Sequence, residues 1–237
     1  MERTNSHDRH ILAETFAEKD LGVQLTNNLK SDVQAKYAAA KASRILGQLN
    51  RTFKYWTVEN FKVIYCAYVR PHLEYAAPVW SPHLKKDIKV LERVQRRATK
   101  LVPKLRNLSY QSRLTKLNLT TLEDRRTRGD LIQFFKINSG FNIISWQNAL
   151  VSTDTIIQTG PSAAIRRSLH NIRRPEITKC EQREFFFTHR TIPLWNALPS
   201  YITAANSINE FKNKLDRHLS EQRKTKNEAL RLGAIIY

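Results

Sequence analysis

Leu84-Lys85-Lys86-Asp87-Ile88-Lys89-Val90-Leu91-Glu92-Arg93-Val94-Gln95-Arg96-Arg97-Ala98-Thr99-Lys100-Leu101-Val102 carries two patterns at once. Plotted at about 100° per residue, Leu84, Ile88, Leu91, Ala98 and Val102 fall on one side. Gln95 is the only polar residue among them. Lys85, Lys89, Arg93, Arg96, Arg97 and Lys100 fall on the other side. The spacing predicts an amphipathic helix with a core face and a cationic face, stopped by Pro103.

Helical spacing continues in both directions. Upstream, Ser31 and Gln34 have capping-box spacing ahead of Val33, Tyr37, Ala40, Ile45 and Leu49. Thr57 caps a second helix with Phe61, Ile64, Tyr65 and Tyr68 on its apolar face, and Pro71 is expected to end or kink it. Leu73 to Trp80 extend the pattern to a break at Ser81-Pro82. Before all of these, Leu21, Val23 and Leu25 alternate with polar residues and predict a short strand, with a turn at Asn27-Asn28. Downstream, helices are expected over Tyr110–Leu117 and Thr121–Ile137, the latter burying Leu122, Leu131, Phe134 and Phe135.

Gly140, Gly160, Pro161 and Pro175 then mark a long, partly extended connection. Helical pattern returns over Glu184–Leu198, with Pro193 expected in the first turn of a new helix. Ser207 and Glu210 read as a capping box before Phe211, Leu215 and Leu219. From Glu221 the chain reads as a charged, frayed tail. The expected fold is mainly α, a helical bundle with a short N-terminal β element and a partly irregular C-terminal segment.

The 237 residues carry 40 basic and 21 acidic side chains, for a net charge of +19. With 41% apolar and 9% aromatic residues, the chain has material for a core and is no basic disordered tail. No apolar run approaches the ~20 residues that span a bilayer, and the first thirty residues show no secretory signal. Cys66 and Cys180 lie too far apart in sequence for a zinc spacing and make no disulfide framework. These features point to an intracellular protein of the nucleus or cytoplasm, neither secreted nor membrane-bound. A polyanion is the expected partner, nucleic acid ahead of anionic lipid.

The cationic face is the sharpest site candidate. Lys85, Lys86, Lys89, Arg93, Arg96, Arg97, Lys100, Lys104 and Arg106 are nine basic residues against two acids, Asp87 and Glu92, which leaves +7. Lys89, Arg93 and Arg97 repeat at i, i+4, where like charges repel. Phosphates would offset that repulsion, each arginine forking onto one with two hydrogen bonds. A solvated charged face is the plain alternative. Arg125, Arg126 and Arg128 are expected to pair locally with Glu123, Asp124 and Asp130. Arg166, Arg167, Arg173 and Arg174 around His170 read either as a loop touching a backbone or as a solvated loop. Tyr65, Phe134 and Phe135 read as core, and Tyr55-Trp56 as core or helix staple ahead of base stacking.

Catalytic patterns are missing. Glu123-Asp124 is the only adjacent acid pair, at a helix start where acids suit the dipole. His7, His10, His72 and His83 have no partner at metal spacing, Cys66 reads as a small hydrophobe, and no Ser, His and Asp trio stands out. No cofactor motif occurs, and no two glycines bracket a lysine as in a phosphate-cradling loop.

Several segments in order carry a resemblance: Asp20-Leu21-Gly22-Val23, AAKASRILGQL over 39–49, YVRPHLEYAAPVWSP over 68–82, LERVQRRATKL over 91–101, LNLTTLEDRRTRGDL over 117–131, and Trp195-Asn196-Ala197-Leu198-Pro199. Over residues 18–220 the chain resembles the part of a non-LTR (LINE-type) retrotransposon reverse transcriptase that follows its catalytic palm. The resemblance implies a palm-edge remnant over 1–27, a thumb-like helical domain over 28–138, a connection over 139–180, a C-terminal helical segment over 181–220 and a tail over 221–237. It implies a thumb that grips RNA or an RNA–DNA hybrid by its backbone with little sequence selectivity. The family's metal-binding Asp-Asp motif has no counterpart here, so no catalytic residue, metal or cofactor carries over. The expectation is a catalytically incompetent fragment or domesticated remnant. Its alternative is a non-functional or protein-contact remnant whose exposed thumb surface favours self-association.

Overall fold

A computed structural model describes residues 15–144, 150, 171–174 and 180–231. The apolar side of the basic segment forms helix α5 (Lys85–Ala98), which lies along α1 (Asp32–Thr52). Ala35, Ala38, Ala39 and Ala42 are buried on α1, and such small side chains let two helix axes approach closely. Leu91, Val94 and Ala98 of α5 fill the space opposite.

β1 (Ala17–Asp20) pairs antiparallel with β2 (Val23–Thr26), Asp20 opposite Val23. Leu21 and Gly22 turn the chain with φ of 45° and 86°. Two consecutive positive φ values suit the right-handed twist of a tight hairpin. A Cβ on Gly22 would stand 3.2 Å from the Tyr75 ring, whose hydroxyl donates to the Leu21 carbonyl at 2.9 Å. Val23 anchors the hairpin in the first core.

That core is completed by α2 (Val58–Ile64), a π-helical turn at Tyr65–Val69, α3 (Arg70–Glu74), α4 (Ala77–Trp80), a 3-10 turn at Pro103–Leu105 and α6 (Tyr110–Leu117). α7 (Leu122–Asn138) serves two cores. Leu122 packs in the first, while Leu131, Phe134 and Phe135 pack in the second. The second core also takes side chains from α9 (Phe187–Asn196), α10 (Ser200–Thr203) and α11 (Ile208–Arg231). Phe135 stacks on Phe211 at 4.3 Å between centroids, and Trp195 is fully buried beside them. The chain is mainly helical with one short two-stranded sheet near its N-terminus, as its patterning predicts.

Local details differ from expectation for physical reasons. Ser31 makes no capping bond; Gln34 instead accepts the Gln24 N–H at 2.8 Å, tying β2 to α1. Pro71 does not end the helical path. The π turn before it widens the backbone, and Pro71 sits at the start of α3, where its missing N–H costs little. Pro193 lies inside α9 rather than in a first turn, held there by Ile192 and Trp195 in the second core. At Ser207 the box is divided: Ser207 Oγ accepts the Glu210 N–H, but the Glu210 carboxylate accepts the Asn206 N–H. α11 continues helically beyond Glu221 to Arg231. Most of the expected connection over 139–180, with Arg166, Arg167 and His170, lies outside the described residues, as do His7 and His10.

Candidate nucleic-acid interface

α5 sorts its charges by face. Asp87 and Glu92 are buried, while Lys85, Lys86, Lys89, Arg93, Arg96 and Arg97 are exposed. Lys100, Lys104 and Arg106 continue the exposed set through the 3-10 turn. Among the described residues, none of the nine stands within 4.0 Å of a carboxylate oxygen. The 14 residues of α5 alone run for about 21 Å at 1.5 Å per residue, about six steps along one strand of a duplex.

The inward acid explains how the stripe is held. Glu92 accepts the Leu122 N–H at 3.0 Å, at the exposed-dipole end of α7, and the Tyr110 hydroxyl. Gln95, the polar residue on the apolar face, is fully buried and fully used. Its carbonyl accepts the Tyr65 hydroxyl at 2.7 Å, and its amide donates to Tyr110 (2.9 Å) and to the Thr120 carbonyl (3.0 Å). Burial pushes both tyrosine hydroxyls well above their ordinary range, with the Glu92 charge adding to the effect, so both remain donors. This network fixes α5 against the π-helical turn, α6 and α7. On its outer side, Arg96 lies over the Tyr110 ring at 4.2 Å, which orients one stripe cation without neutralising it.

The weaker arginine cluster behaves differently. Among the described residues, local pairing with Glu123 and Asp124 does not form, although Asp124 and Arg128 stand at the favourable i, i+4 spacing, because carboxylates on other elements take the arginines. Arg125 instead reaches Glu74 with a bidentate pair, and Arg128 reaches Asp216 at 2.8 Å. Arg126 is buried with both terminal nitrogens unpartnered, and burial lowers its pKa. Asp130 does pair, but with Arg190 at 2.9 Å, and Arg190 also donates to the Pro78 carbonyl at 2.7 Å. Burial raises the Asp130 pKa, partly opposed by Arg190. His83 pairs with Glu181 at 3.1 Å and stacks on Phe185.

Tyr55 is not core: it is 84% exposed, while its neighbour Trp56 packs on the first core. Nothing in its spacing separated the two, since both sit between helices. Among the described residues no three His, Cys, Asp or Glu side chains converge as a metal site, and no helix is long and apolar enough to cross a membrane.

No family model and no solved structure matches the chain. It is similar to an uncharacterized protein of Caenorhabditis elegans, B0403.1, with 29% identity over 129 residues. The alignment covers 51% of this chain and 63% of that relative, so the chain spans less than two thirds of the relative's length.

Proposed function

We propose that this chain binds the sugar-phosphate backbone of RNA or an RNA–DNA hybrid through the cationic face of α5, in the manner of a non-LTR reverse-transcriptase thumb, and does not polymerise by itself. One observation carries the reading: nine cations face out with no ion pair among the described residues, while both acids of the same stretch are turned inward. A merely solvated face gains by interspersing signs, and this one segregates them. Contacts to phosphate position a duplex without reading bases, so selectivity for sequence is low.

The test is fluorescence anisotropy with a labelled RNA–DNA hybrid at two salt concentrations. With six or more phosphates neutralised, affinity should fall about 1000-fold between about 50 and 200 mM salt. Salt-independent affinity, or no binding by folded protein at low salt, overturns the proposal. A protein-contact reading is favoured by Phe16, Leu21 and Leu29, exposed around the hairpin. It predicts concentration-dependent elution in sizing chromatography that charge reversal on α5 leaves unchanged.

A further inference from the structure

We propose that the cavity between the first turns of α1 and α5 receives one unpaired guanine at the Lys86 end of the cationic stripe; this rests on the reading of α5 as a backbone grip. The cavity measures about 250 Å³. Ser31 and Asp32 line it from the start of α1, and Leu84, Lys86 and Asp87 line it from the start of α5. It is smaller than the roughly 300–1,000 Å³ of sites for drug-sized molecules and suits a single flat ring. Phe16 and Leu84 add apolar surface for such a ring. α8 (Glu181–Glu184) closes one side. There His83 pairs with Glu181 at 3.1 Å, and the Gln182 amide donates to the Asn28 carbonyl at 3.4 Å.

Asp87 selects the occupant. It is only 3% exposed, and among the described residues its carboxylate meets no hydrogen-bond or ion-pair partner. As the third residue of α5 it stands where a carboxylate ordinarily turns back onto the N–H of the helix cap, and it makes no such bond. The other two carboxylates of the cavity are taken, Asp32 by Lys36 at 3.0 Å and Glu181 by His83. Among the described residues no three His, Cys, Asp or Glu side chains converge as a metal site, so the unmet acceptor calls for N–H donors. Around it the sign reverses. Lys30 and Lys86 also line the cavity, both exposed and without a carboxylate partner among the described residues. The N-terminal ends of α1 and α5 adjoin it as well, neither with a bond from its cap side chain, and such ends favour phosphate. A ligand with donors for Asp87 and a phosphate for this positive surround is a nucleotide. Guanine sets two donors side by side, N1–H and the N2 amino group, to match the two oxygens of one carboxylate. Adenine and cytosine set one amino group beside a ring acceptor, which a carboxylate repels. The duplex on α5 is still held without reading its bases, and only this unpaired base is read.

The experiment compares labelled RNA–DNA hybrids by anisotropy, either blunt or with a one-nucleotide overhang that is guanosine, inosine, adenosine or abasic. The intact chain should favour guanosine over the other overhangs by about tenfold, the low end of what one bidentate base contact gives. Inosine keeps N1–H and lacks the amino group, so it tests the paired donors directly. Asp87→Asn replaces one acceptor oxygen by a donor and should exchange the preference from guanosine to adenosine, each read against that protein's own affinity for blunt hybrid. Guanosine bound no better than inosine or the abasic end, or a guanosine preference that survives Asp87→Asn, overturns the assignment. The base series uses the intact chain, so it decides even if Asp87→Asn does not fold. Arg93→Glu, Arg96→Glu and Arg97→Glu combined separates the two ideas. If that variant binds blunt hybrid as tightly as the intact chain, the α5 grip fails; if it binds weakly while the intact chain treats all overhangs alike, only the guanine site fails.

Discussion

The arginines of α5 and those of α7 and α9 have opposite fates. On α5 the cations are exposed with no carboxylate partner among the described residues, and the acids are buried. On the second half of the molecule Arg125, Arg128 and Arg190 each meet a carboxylate from a distant element, namely Glu74, Asp216 and Asp130. The first arrangement ties no distant element by an ion pair, Arg96 over the Tyr110 ring being its contact with the fold, and leaves charge available to a ligand. The second joins α3, α7, α9 and α11 and leaves little charge available. A count of basic residues treats the two as alike; only the position of the acids separates them.

That contrast can be broken most severely at Asp130. Asp130→Ala leaves the Arg190 guanidinium half-buried without its carboxylate and should destabilise the fold by about 3–5 kcal/mol in urea denaturation. The folded fraction should still bind hybrid normally. Next comes the triple charge reversal at Arg93, Arg96 and Arg97. It should weaken low-salt binding about 100-fold and reduce the salt slope by about 2.7, with the urea midpoint moved only by loss of the Arg96–Tyr110 contact, far less than at Asp130. A midpoint shift as large as that of Asp130→Ala would erase the distinction between the two sets.

Gln95→Leu probes the mounting of the stripe. It strands the Tyr65 hydroxyl and the Thr120 carbonyl and should cost about 2 kcal/mol, read from the same denaturation curves. The smallest effect is on pH. Burial lowers the pKa of His189, with Arg174 and Arg183 adding to it, and burial lowers that of His72, helped by Lys41. The folded state thus binds fewer protons than the unfolded chain. Stability is complete above the ordinary value of 6.5 and is lost as pH falls from there through the depressed folded values. Urea midpoints at about pH 7.5 and 5.5 should show this loss, and His189→Gln should reduce it.

Much of the framework is legible from spacing alone. The leucine and alanine stripe of α5 belongs to a core and Thr57 caps a helix, as expected, whereas Leu21, expected in a strand with Val23 and Leu25, lies with Gly22 in the hairpin turn before β2. Local rules suffice there because each signal acts within one or two helical turns. They fail where a competing partner lies far away in sequence. Gln34 leaves its cap for β2, Pro193 is carried by the core around Trp195, and Arg128 ignores its neighbours for Asp216 across 88 positions.

Of the candidate site, the nine cations and their common side were readable, because helical period places them together without reference to the rest of the chain. The sequence by itself thus determined a mainly helical chain with one strongly cationic helix. The tertiary structure alone decided that Asp87 and Glu92 turn inward, that Gln95, the one polar residue on the apolar side, is a buried junction, and that Tyr55 faces water while Trp56 packs on the first core. The physical reason is common to all three. A side chain's period sets which way it points, but only the elements that pack around it set whether a charge, an amide or a ring meets a partner there or is left to solvent.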